Sequence, residues 1–213
     1  MNPSRYPLWI LAGGIGRRVG KPKGLIEIDG KPWLKHLLEK YKNVGGWEVW
    51  IGLGAKVDDY FDRIPDLPDP GKPKLINGLL INTVINSDWE LGQFSTLCSI
   101  IQSQKKPKSA WVLPVDSVLP NSEAIIQMEV AKQDYHVVIP QYNKQNGHPV
   151  LLDPKFYNSL LQLPTQDKES RLDKQIQKLE PSKKLVVEVS DSSVLMNLNE
   201  NDDWENLTNA YPY

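Results

Sequence analysis

Apolar runs alternate with amphipathic segments along most of the chain. Strands are predicted at 6–11, 47–53, 80–85, 110–115, 137–140, 149–152 and 184–189. Helices are predicted between them at 33–41, 57–63, 95–102, 122–132, 154–161 and 168–179, with a short helix from Asp202. Such alternation is typical of repeated βα units, which build a mainly parallel sheet.

Four features of this pattern carry no functional prediction. His36 lies on the polar side of the helix at 33–41, and His136 directly precedes a strand. Cys98 has apolar neighbours at helical spacing, which predicts a place in the core. Residues 64–74 contain four prolines, which rules out regular structure, so they are predicted to form a surface loop.

Composition and charge argue against a nucleic-acid-binding protein, a disulfide-bonded protein and a membrane protein. The chain has 213 residues, a net charge of −1 and a pI near 6.3, whereas a nucleic-acid-binding protein would carry a basic excess. The basic run at 105–108 is typical of a solvated turn. One cysteine excludes an internal disulfide and fits a reducing compartment. No apolar run reaches the roughly 18 residues of a membrane span, and no signal-peptide pattern opens the chain. We expect one cytoplasmic domain that binds neither nucleic acid nor membrane and is compatible with a monomer.

The most informative stretch follows the first strand. There the apolar run ends in Gly13, Gly14 and Gly16, and four cationic residues follow within positions 17–23. A glycine-rich turn presents backbone N–H groups, and the cations add positive side chains at the same place. This combination predicts a site for a polyphosphate.

Three other interpretations of this loop fit less well. A P-loop needs Ser or Thr after Gly-Lys to bind magnesium, but Pro22 follows Gly20-Lys21. A dinucleotide-binding turn needs an acidic residue at the end of the second strand, and residues 52–56 offer none. The third interpretation is a glycine turn whose charges are merely solvated.

The loop also resembles a known family. The signature of the nucleoside triphosphate transferases is similar to the spacing found here, Leu11-Ala12-Gly13-Gly14-x-Gly16-x-Arg18-x-Gly20-x-Pro22-Lys23-x-Leu25. This family includes sugar-phosphate nucleotidyltransferases and the molybdenum cofactor cytidylyltransferases and guanylyltransferases. The resemblance implies a single Rossmann-like, three-layer α/β/α domain over 1–213, with a mainly parallel, mixed sheet of the nucleotide-diphospho-sugar transferase type. Residues up to about 115 would hold the nucleotide, and the rest would hold the metal and the acceptor.

The resemblance assigns the loop to the nucleotide. The implied nucleotide contacts are Leu11, Ala12, Gly13, Gly14, Gly16, Arg17 and Lys23. Arg18 and Lys23 are implied to be catalytic. Arg18 would hold the β- and γ-phosphates, and Lys23 would stabilise charge near the α-phosphate as the bond to the leaving group stretches.

A Mg²⁺ site is expected beside the loop, because the charge of a triphosphate must be neutralised before an anionic nucleophile approaches. Asp116 is the predicted ligand and third catalytic residue, since it ends an apolar strand where the family carries an aspartate. The family's second ligand lies in a segment similar to 196–203, where alternation puts Asn197 and Asn199 on one side. Asn197 is implied as a metal ligand and Asn199 as a substrate contact. Helix capping is the alternative for this segment and for Asp116.

Two further segments resemble the molybdopterin cytidylyltransferases. In the first, 91–97, Gly92 and Ser95 are implied nucleotide contacts. In the second, 147–152, Gly147 and His148 are implied to face the acceptor, and a structural histidine that anchors a turn is the alternative for His148.

Arg171 resembles a family arginine that holds the acceptor phosphate, although Glu169 stands where the family has a glycine. An exposed helix arginine is the alternative. The Arg17-Arg18 pair is nearer to the guanylyltransferases than to the cytidylyltransferases. The identity of the base therefore stays open, with CTP favoured.

The resemblance thus implies a Mg²⁺-dependent nucleotidyltransferase. It would transfer NMP from an NTP, CTP in preference to GTP, to a phosphorylated small-molecule acceptor such as molybdopterin, and release pyrophosphate. One alternative is a sugar-1-phosphate or other small-metabolite nucleotidyltransferase. Others are a non-catalytic nucleotide-binding regulatory module and an NAD(P) oxidoreductase.

Overall fold

A computed structural model describes residues 6–210, with side chains up to Leu207. The ends of the predicted domain, 1–5 and 211–213, lie outside the described residues. The strands are β1 Leu8–Ala12, β2 Glu27–Ile28, β3 Lys31–Pro32, β4 Glu48–Leu53, β5 Lys74–Ile76, β6 Leu79–Ile85, β7 Ala110–Pro114, β8 Val137–Tyr142, β9 Gln145–Asn146, β10 Val150–Leu152 and β11 Lys184–Glu188. The helices are α1 Trp33–Asn43, α2 Val57–Arg63, α3 Gln93–Gln102, α4 Ser122–Ala131, α5 Pro154–Leu160, α6 Leu172–Lys178 and α7 Asn201–Ala210.

Nine of the strands form one mixed sheet in the order β11-β8-β10-β7-β1-β4-β6-β5, with β9 paired to β8. The centre is parallel, because β1 pairs with both β4 and β7, and β4 pairs with β6. β10 runs antiparallel between β7 and β8, and β5 is an antiparallel edge strand. The prediction of a mainly parallel, mixed sheet is confirmed.

Helices cover both faces of the sheet, and β1 separates two cores. Leu8, Ile10 and Ala12 face one core, to which α1, α2, α4 and α7 contribute. Trp9 and Leu11 face the other, which is shared with α3, α5 and α6. A strand buried on both faces needs apolar side chains at every position, which explains the uninterrupted apolar run. The predicted three-layer α/β/α arrangement is confirmed.

Most predicted elements lie within two residues of their predicted bounds. The single helix predicted at 168–179 is wrong. A 3₁₀ turn, Lys168–Ser170, precedes α6, and Arg171 between them has an extended backbone with φ −49° and ψ 142°. The hairpin β2–β3 and the short strands β5 and β9 are additions that the apolar pattern does not indicate, because each is too short to show a period.

The prediction for His36 is also wrong. His36 is only 3% exposed, and its Nε2 lies 2.9 Å from Ile28 O, so it packs inside rather than on a polar face. His136 Nδ1 lies 2.8 Å from Asp153 Oδ2, at the start of α5. Cys98 is buried as predicted, and burial raises the pKa of its thiol to about 11.

None of the helices within 6–210 is both long and apolar enough to cross a membrane.

Candidate active site

Two loops meet at the carboxyl edge of the central strands. The glycine-rich loop, residues 13–22, leaves the end of β1, and Asp116 follows the end of β7. β1 and β7 are parallel neighbours, and Val115 N donates to Leu11 O at 3.1 Å beside the loop. Open α/β sheets bind their ligands at this edge. The topology therefore brings together the two stretches that the sequence singled out.

The glycine-rich loop folds back on itself. Gly16 has φ +68°, and a Cβ there would stand 1.9 Å from Lys21 O, so only glycine fits. Gly13 touches α3, since a Cβ on it would lie 2.4 Å from Thr96 Oγ1. Gly14 is exposed and has open space around it. The base of the loop is thus fixed against α3, and its tip faces solvent.

Lys23 connects the loop to Asp116. It begins a 3₁₀ turn, Lys23–Leu25, and its Nζ donates to Asp116 Oδ2 at 2.9 Å and to Asn199 Oδ1 at 3.0 Å. The Lys23 and Asp116 side chains are 12% and 18% exposed. Arg18 Nη2 donates to the same Asn199 oxygen at 2.9 Å, and Arg18 Nη1 lies 3.1 Å from Glu200 Oε1. Four predicted site residues therefore form one hydrogen-bonded cluster.

The C-terminal segment 197–199 runs beside the residues that follow β7. Leu198 N donates to Asp116 O at 2.7 Å, and Asn197 forms an antiparallel bridge with Ser117. Ser117 Oγ donates to Asn197 Oδ1 at 3.0 Å. The Asn197 oxygen is thus bound by Ser117, whereas the Asn199 oxygen faces Lys23 and Arg18.

Asp203 holds this segment in place, a role that the sequence interpretation missed. Its Oδ2 accepts hydrogen bonds from Asn199 N at 2.7 Å and Glu200 N at 2.8 Å, where α7 begins. An acidic residue three positions after the N-cap is a capping-box signal, so the sequence did contain it. The bonds from the Glu200 and Asn199 amides lower the pKa of Asp203, and Lys23 and Arg18 act in the same direction.

A cleft of about 720 Å³ opens next to Asp116, on the α3 side of the sheet. Its apolar wall includes Leu11, Phe94, Leu97, Val112, Ile139, Val150, Leu172 and Ile176. Its polar lining includes Gly92, Asp116, Asn146, Gly147, His148, Arg171, Asp173, Asn197 and Asn199. The cleft can hold a molecule with a sizeable apolar body beside the charged cluster.

His148 lies in this cleft with its backbone fixed. His148 N donates to Val194 O at 2.8 Å, and Gly147 N donates to Pro140 O at 2.8 Å. Burial lowers the pKa of the His148 imidazole, while Asp116 and Asp173 act in the opposite direction. A neutral imidazole at pH 7 offers one donor and one acceptor to a bound molecule.

The family model of the MobA-like NTP transferase domain matches residues 8–181. The chain belongs to this family.

Solved structures of low sequence identity share the fold. A nucleotidyl transferase from Methanothermobacter thermautotroptrophicus has a TM-score of 0.73 at 15% identity, covering 96% of both chains. Molybdopterin-guanine dinucleotide biosynthesis protein A from Archaeoglobus fulgidus has a TM-score of 0.67 at 15% identity, covering 96% of this chain and 97% of that one. Rv0371c from Mycobacterium tuberculosis, in complex with manganese, has a TM-score of 0.67 at 15% identity, covering 97% and 99%. No curated protein sequence matches the chain significantly. The MobA-like chain is a nucleotidyltransferase.

Ser95 of this MobA-like transferase lies outside the cleft. It is 3% exposed, and its Oγ lies 2.8 Å from Gly92 O and 2.9 Å from Asp88 O. It also accepts a hydrogen bond from Asn86 Nδ2 at 2.8 Å. The sequence interpretation missed Asn86, which is 2% exposed and also donates to Thr96 Oγ1 at 3.0 Å. Ser95 thus anchors the loop 86–92 from beneath, and Gly92 of that loop reaches the cleft.

The remaining predicted residues of the MobA-like chain differ in exposure. Leu11 and Ala12 are buried at the end of β1, whereas Arg17 is exposed. Arg171 is exposed at the rim of the cleft, and its Nε and Nη2 donate to the Asp173 carboxylate at 3.0 and 3.1 Å. Its guanidinium therefore lies at the cleft but is already paired.

The donor set of the site suits Mg²⁺. Within the described residues there is no group of three or more His, Cys, Asp or Glu side chains that would hold a metal alone. Magnesium commonly takes one or two carboxylates and completes its shell with water and substrate phosphates. The Asp116 carboxylate and the Asn199 amide oxygen, both in contact with Lys23 Nζ, supply oxygen ligands of that kind.

Proposed function

We propose that this MobA-like transferase moves NMP from an NTP to a phosphorylated small-molecule acceptor and releases pyrophosphate. The observation that carries the proposal is the cluster in which Lys23 Nζ contacts both Asp116 and Asn199, while Arg18 shares the Asn199 oxygen. The cluster joins the glycine-rich loop to the end of β7. Cations and oxygen ligands therefore converge at one point of the sheet edge.

The loop supports binding of the triphosphate. Gly14 is exposed at the tip of the glycine-rich loop, Gly13 lies at its buried base, and Arg18 follows in the same loop, so the β- and γ-phosphates can be held there. Lys23 lies deeper and next to Asp116, which suits the α-phosphate. Its positive charge would stabilise the charge that develops as the bond to pyrophosphate stretches.

Mg²⁺ is the proposed metal, held by Asp116 and Asn199 with Asn197 close by; bound there, it would neutralise phosphate charge. The manganese complex of Rv0371c supports a divalent cation in this fold. The nucleophile needs no general base, because a phosphate monoester is already largely ionised at pH 7.

The cleft beside Asp116 is the proposed acceptor site. Its apolar wall favours a flat heterocycle of the molybdopterin type over a hexose, whose hydroxyls would need polar partners along that wall. His148 within the cleft suits a polar edge of the acceptor. Arg171 at the rim suits a phosphate, which would take the place of the Asp173 carboxylate on the guanidinium. The first part of the chain, to about residue 115, would then hold the nucleotide, and the second part would hold the metal and the acceptor in a cytosolic enzyme.

CTP is the proposed donor, in preference to GTP. The support is the likeness of segments 91–97 and 147–152 to the cytidylyltransferases. The Arg17-Arg18 pair and the name of the Archaeoglobus relative favour a guanine nucleotide instead. Both nucleotides therefore belong in the test.

The test is pyrophosphate release, measured for each of four NTPs with molybdopterin and, separately, with hexose 1-phosphates. We expect release with CTP and molybdopterin, and none after EDTA treatment or in Asp116→Asn. Turnover with a hexose 1-phosphate alone would show that the acceptor is a sugar phosphate. NTP binding without metal-dependent pyrophosphate release would overturn the catalytic proposal.

A further inference from the structure

A second cleft, of about 690 Å³, lies away from the active site. Its floor comes from β4 and β6, and its side comes from residues 103–108, which follow the C-terminal end of α3. The active-site cleft lies at the other end of α3, a helix of ten residues and therefore about 15 Å long. The proposed nucleotidyl transfer uses none of the residues that line this second cleft.

The floor of the second cleft combines an aromatic ring with a buried amide. Trp50 and Asn82 are cross-strand neighbours and point to the same face. The Trp50 indole is partly buried, and its Nε1 donates to Glu48 Oε1 at 2.8 Å. Asn82 is 7% exposed, and its Nδ2 donates to Val49 O at 3.3 Å. Buried positions on inner strands are normally apolar, so an amide here requires a reason.

The side-chain oxygen of Asn82 has no hydrogen-bond donor within the described part of the chain. The residue lines the cleft, so a bound molecule can reach that oxygen. The oxygen is open to the cleft rather than sealed in the core, so it is available to accept a hydrogen bond from a molecule bound there.

Positive charge surrounds this floor. Lys105 and Lys106 are exposed, and Lys108 Nζ lies 4.9 Å from the centroid of the Trp47 ring. None of these three lysines forms an ion pair with any residue in the described part of the chain. Glu48 is the one carboxylate among the described lining residues, and it already accepts the Trp50 indole N–H. Lys105, Lys106 and Lys108 thus form a rim with an excess of positive charge at the second cleft.

We propose that this cleft binds a small anion that carries a flat aromatic ring. The ring stacks on Trp50, a ring N–H or amine donates to Asn82 Oδ1, and the anionic group pairs with the lysines. The volume lies within the range of small-molecule sites. The basic run that the sequence predicts to be a solvated turn becomes the anion-binding rim of this site.

The first experiment uses 8-anilinonaphthalene-1-sulfonate, an aromatic anion whose fluorescence rises on binding. Lys105→Glu/Lys106→Glu reverses the charge beside the cleft at exposed positions, so we expect the fold to be kept. Lys155→Glu/Lys183→Glu makes the same change in net charge at exposed positions outside both clefts. We expect about tenfold weaker binding in the rim variant and in Trp50→Leu, with affinity kept in the control. Equal affinity in the rim variant and the control overturns the proposal.

The second experiment separates two sources of the same chemistry. CMP, 4-aminobenzoate and inorganic phosphate compete with the fluorescent anion in Lys23→Met, where the site beside the glycine-rich loop lacks its buried cation. Displacement by CMP alone identifies a nucleotide, and displacement by 4-aminobenzoate identifies an aromatic carboxylate that carries an amine. Displacement by phosphate as strongly as by either aromatic anion, or by none of the three, overturns the proposal. Neither result bears on pyrophosphate release, so this proposal and the proposed function fail independently.

Discussion

Lys23 Nζ lies 2.9 Å from Asp116 Oδ2, and this ion pair joins loops that leave neighbouring parallel strands. Both side chains are more than four-fifths buried, so water screens the pair only weakly. The Lys23 ammonium also contacts Asn199 Oδ1 at 3.0 Å. Lys23 thus occupies the two oxygen ligands that the proposed metal would use. We therefore expect Lys23 and a divalent cation to compete for Asp116 in the absence of nucleotide.

Lys23→Met should separate catalysis from metal binding. Turnover should fall by about 10²–10³, the scale for the loss of one preorganised donor. Binding of Mn²⁺ in the absence of nucleotide should become about tenfold tighter, because Asp116 loses its competing cation. Electron paramagnetic resonance of free Mn²⁺ measures the second effect.

Lys21→Met is the matched control for Lys23→Met. Lys21 belongs to the same loop but is exposed, and it forms no ion pair with the described residues. Its loss should leave Mn²⁺ affinity unchanged. Equal Mn²⁺ affinity in wild type and Lys23→Met would contradict the competition.

The two asparagines of the C-terminal segment should differ in importance. Asn199 Oδ1 contacts Lys23 and Arg18, whereas Asn197 Oδ1 accepts from Ser117. Asn199→Ala should therefore lower kcat/KM by about 10–100-fold, and Asn197→Ala should lower it less. Steady-state kinetics on both variants measures the difference. The reverse order would indicate that Asn197 is the metal ligand.

Ser95 should act on nucleotide binding through the loop 86–92. Ser95→Ala removes the hydroxyl that contacts Gly92 O and Asp88 O and leaves Asn86 Nδ2 with one partner fewer. We expect KM for the NTP to rise several-fold with little change in kcat, because the loop is loosened rather than the reacting groups. Ser103→Ala is the control, since among the described residues Ser103 Oγ donates only to Ser99 O, one turn back in α3. An equal rise in both variants would point to a general loss of helix stability.

The sequence predicts the central architecture well, because buried parallel strands need continuous apolar runs and Gly16 needs a backbone conformation that only glycine adopts freely. It also predicts the convergence of the loop and Asp116, since carboxyl ends of parallel strands share one edge. It does not predict that Ser95 faces inward. Nor does it show that Asn197 is bound by Ser117. Both depend on contacts between segments distant in the chain, for which local pattern holds no signal.

His148 should make stability depend on pH. Its folded-state pKa is lowered by burial, whereas the unfolded chain has the ordinary value of about 6.5. As pH falls through that value, the unfolded state binds the proton first, so the free energy of unfolding decreases. His148→Asn should reduce the loss of stability between pH 7.5 and pH 5.5, as measured by urea denaturation. An unchanged loss would mean that other groups dominate acid destabilisation.

Asp203 should support the site through the backbone of its neighbours. Asp203→Ala removes the acceptor of the Asn199 and Glu200 amides, and loss of a cap of this type costs about 1 kcal/mol of stability. The Asn199 side chain then loses its fixed position beside Lys23, so kcat/KM should also fall. Asp202→Ala is the control, because Asp202 lies in the same first helical turn, is exposed and has no hydrogen bond to the described residues. Urea denaturation and steady-state kinetics measure both effects. Destabilisation without a change in kcat/KM would show that the cap stabilises α7 without positioning Asn199.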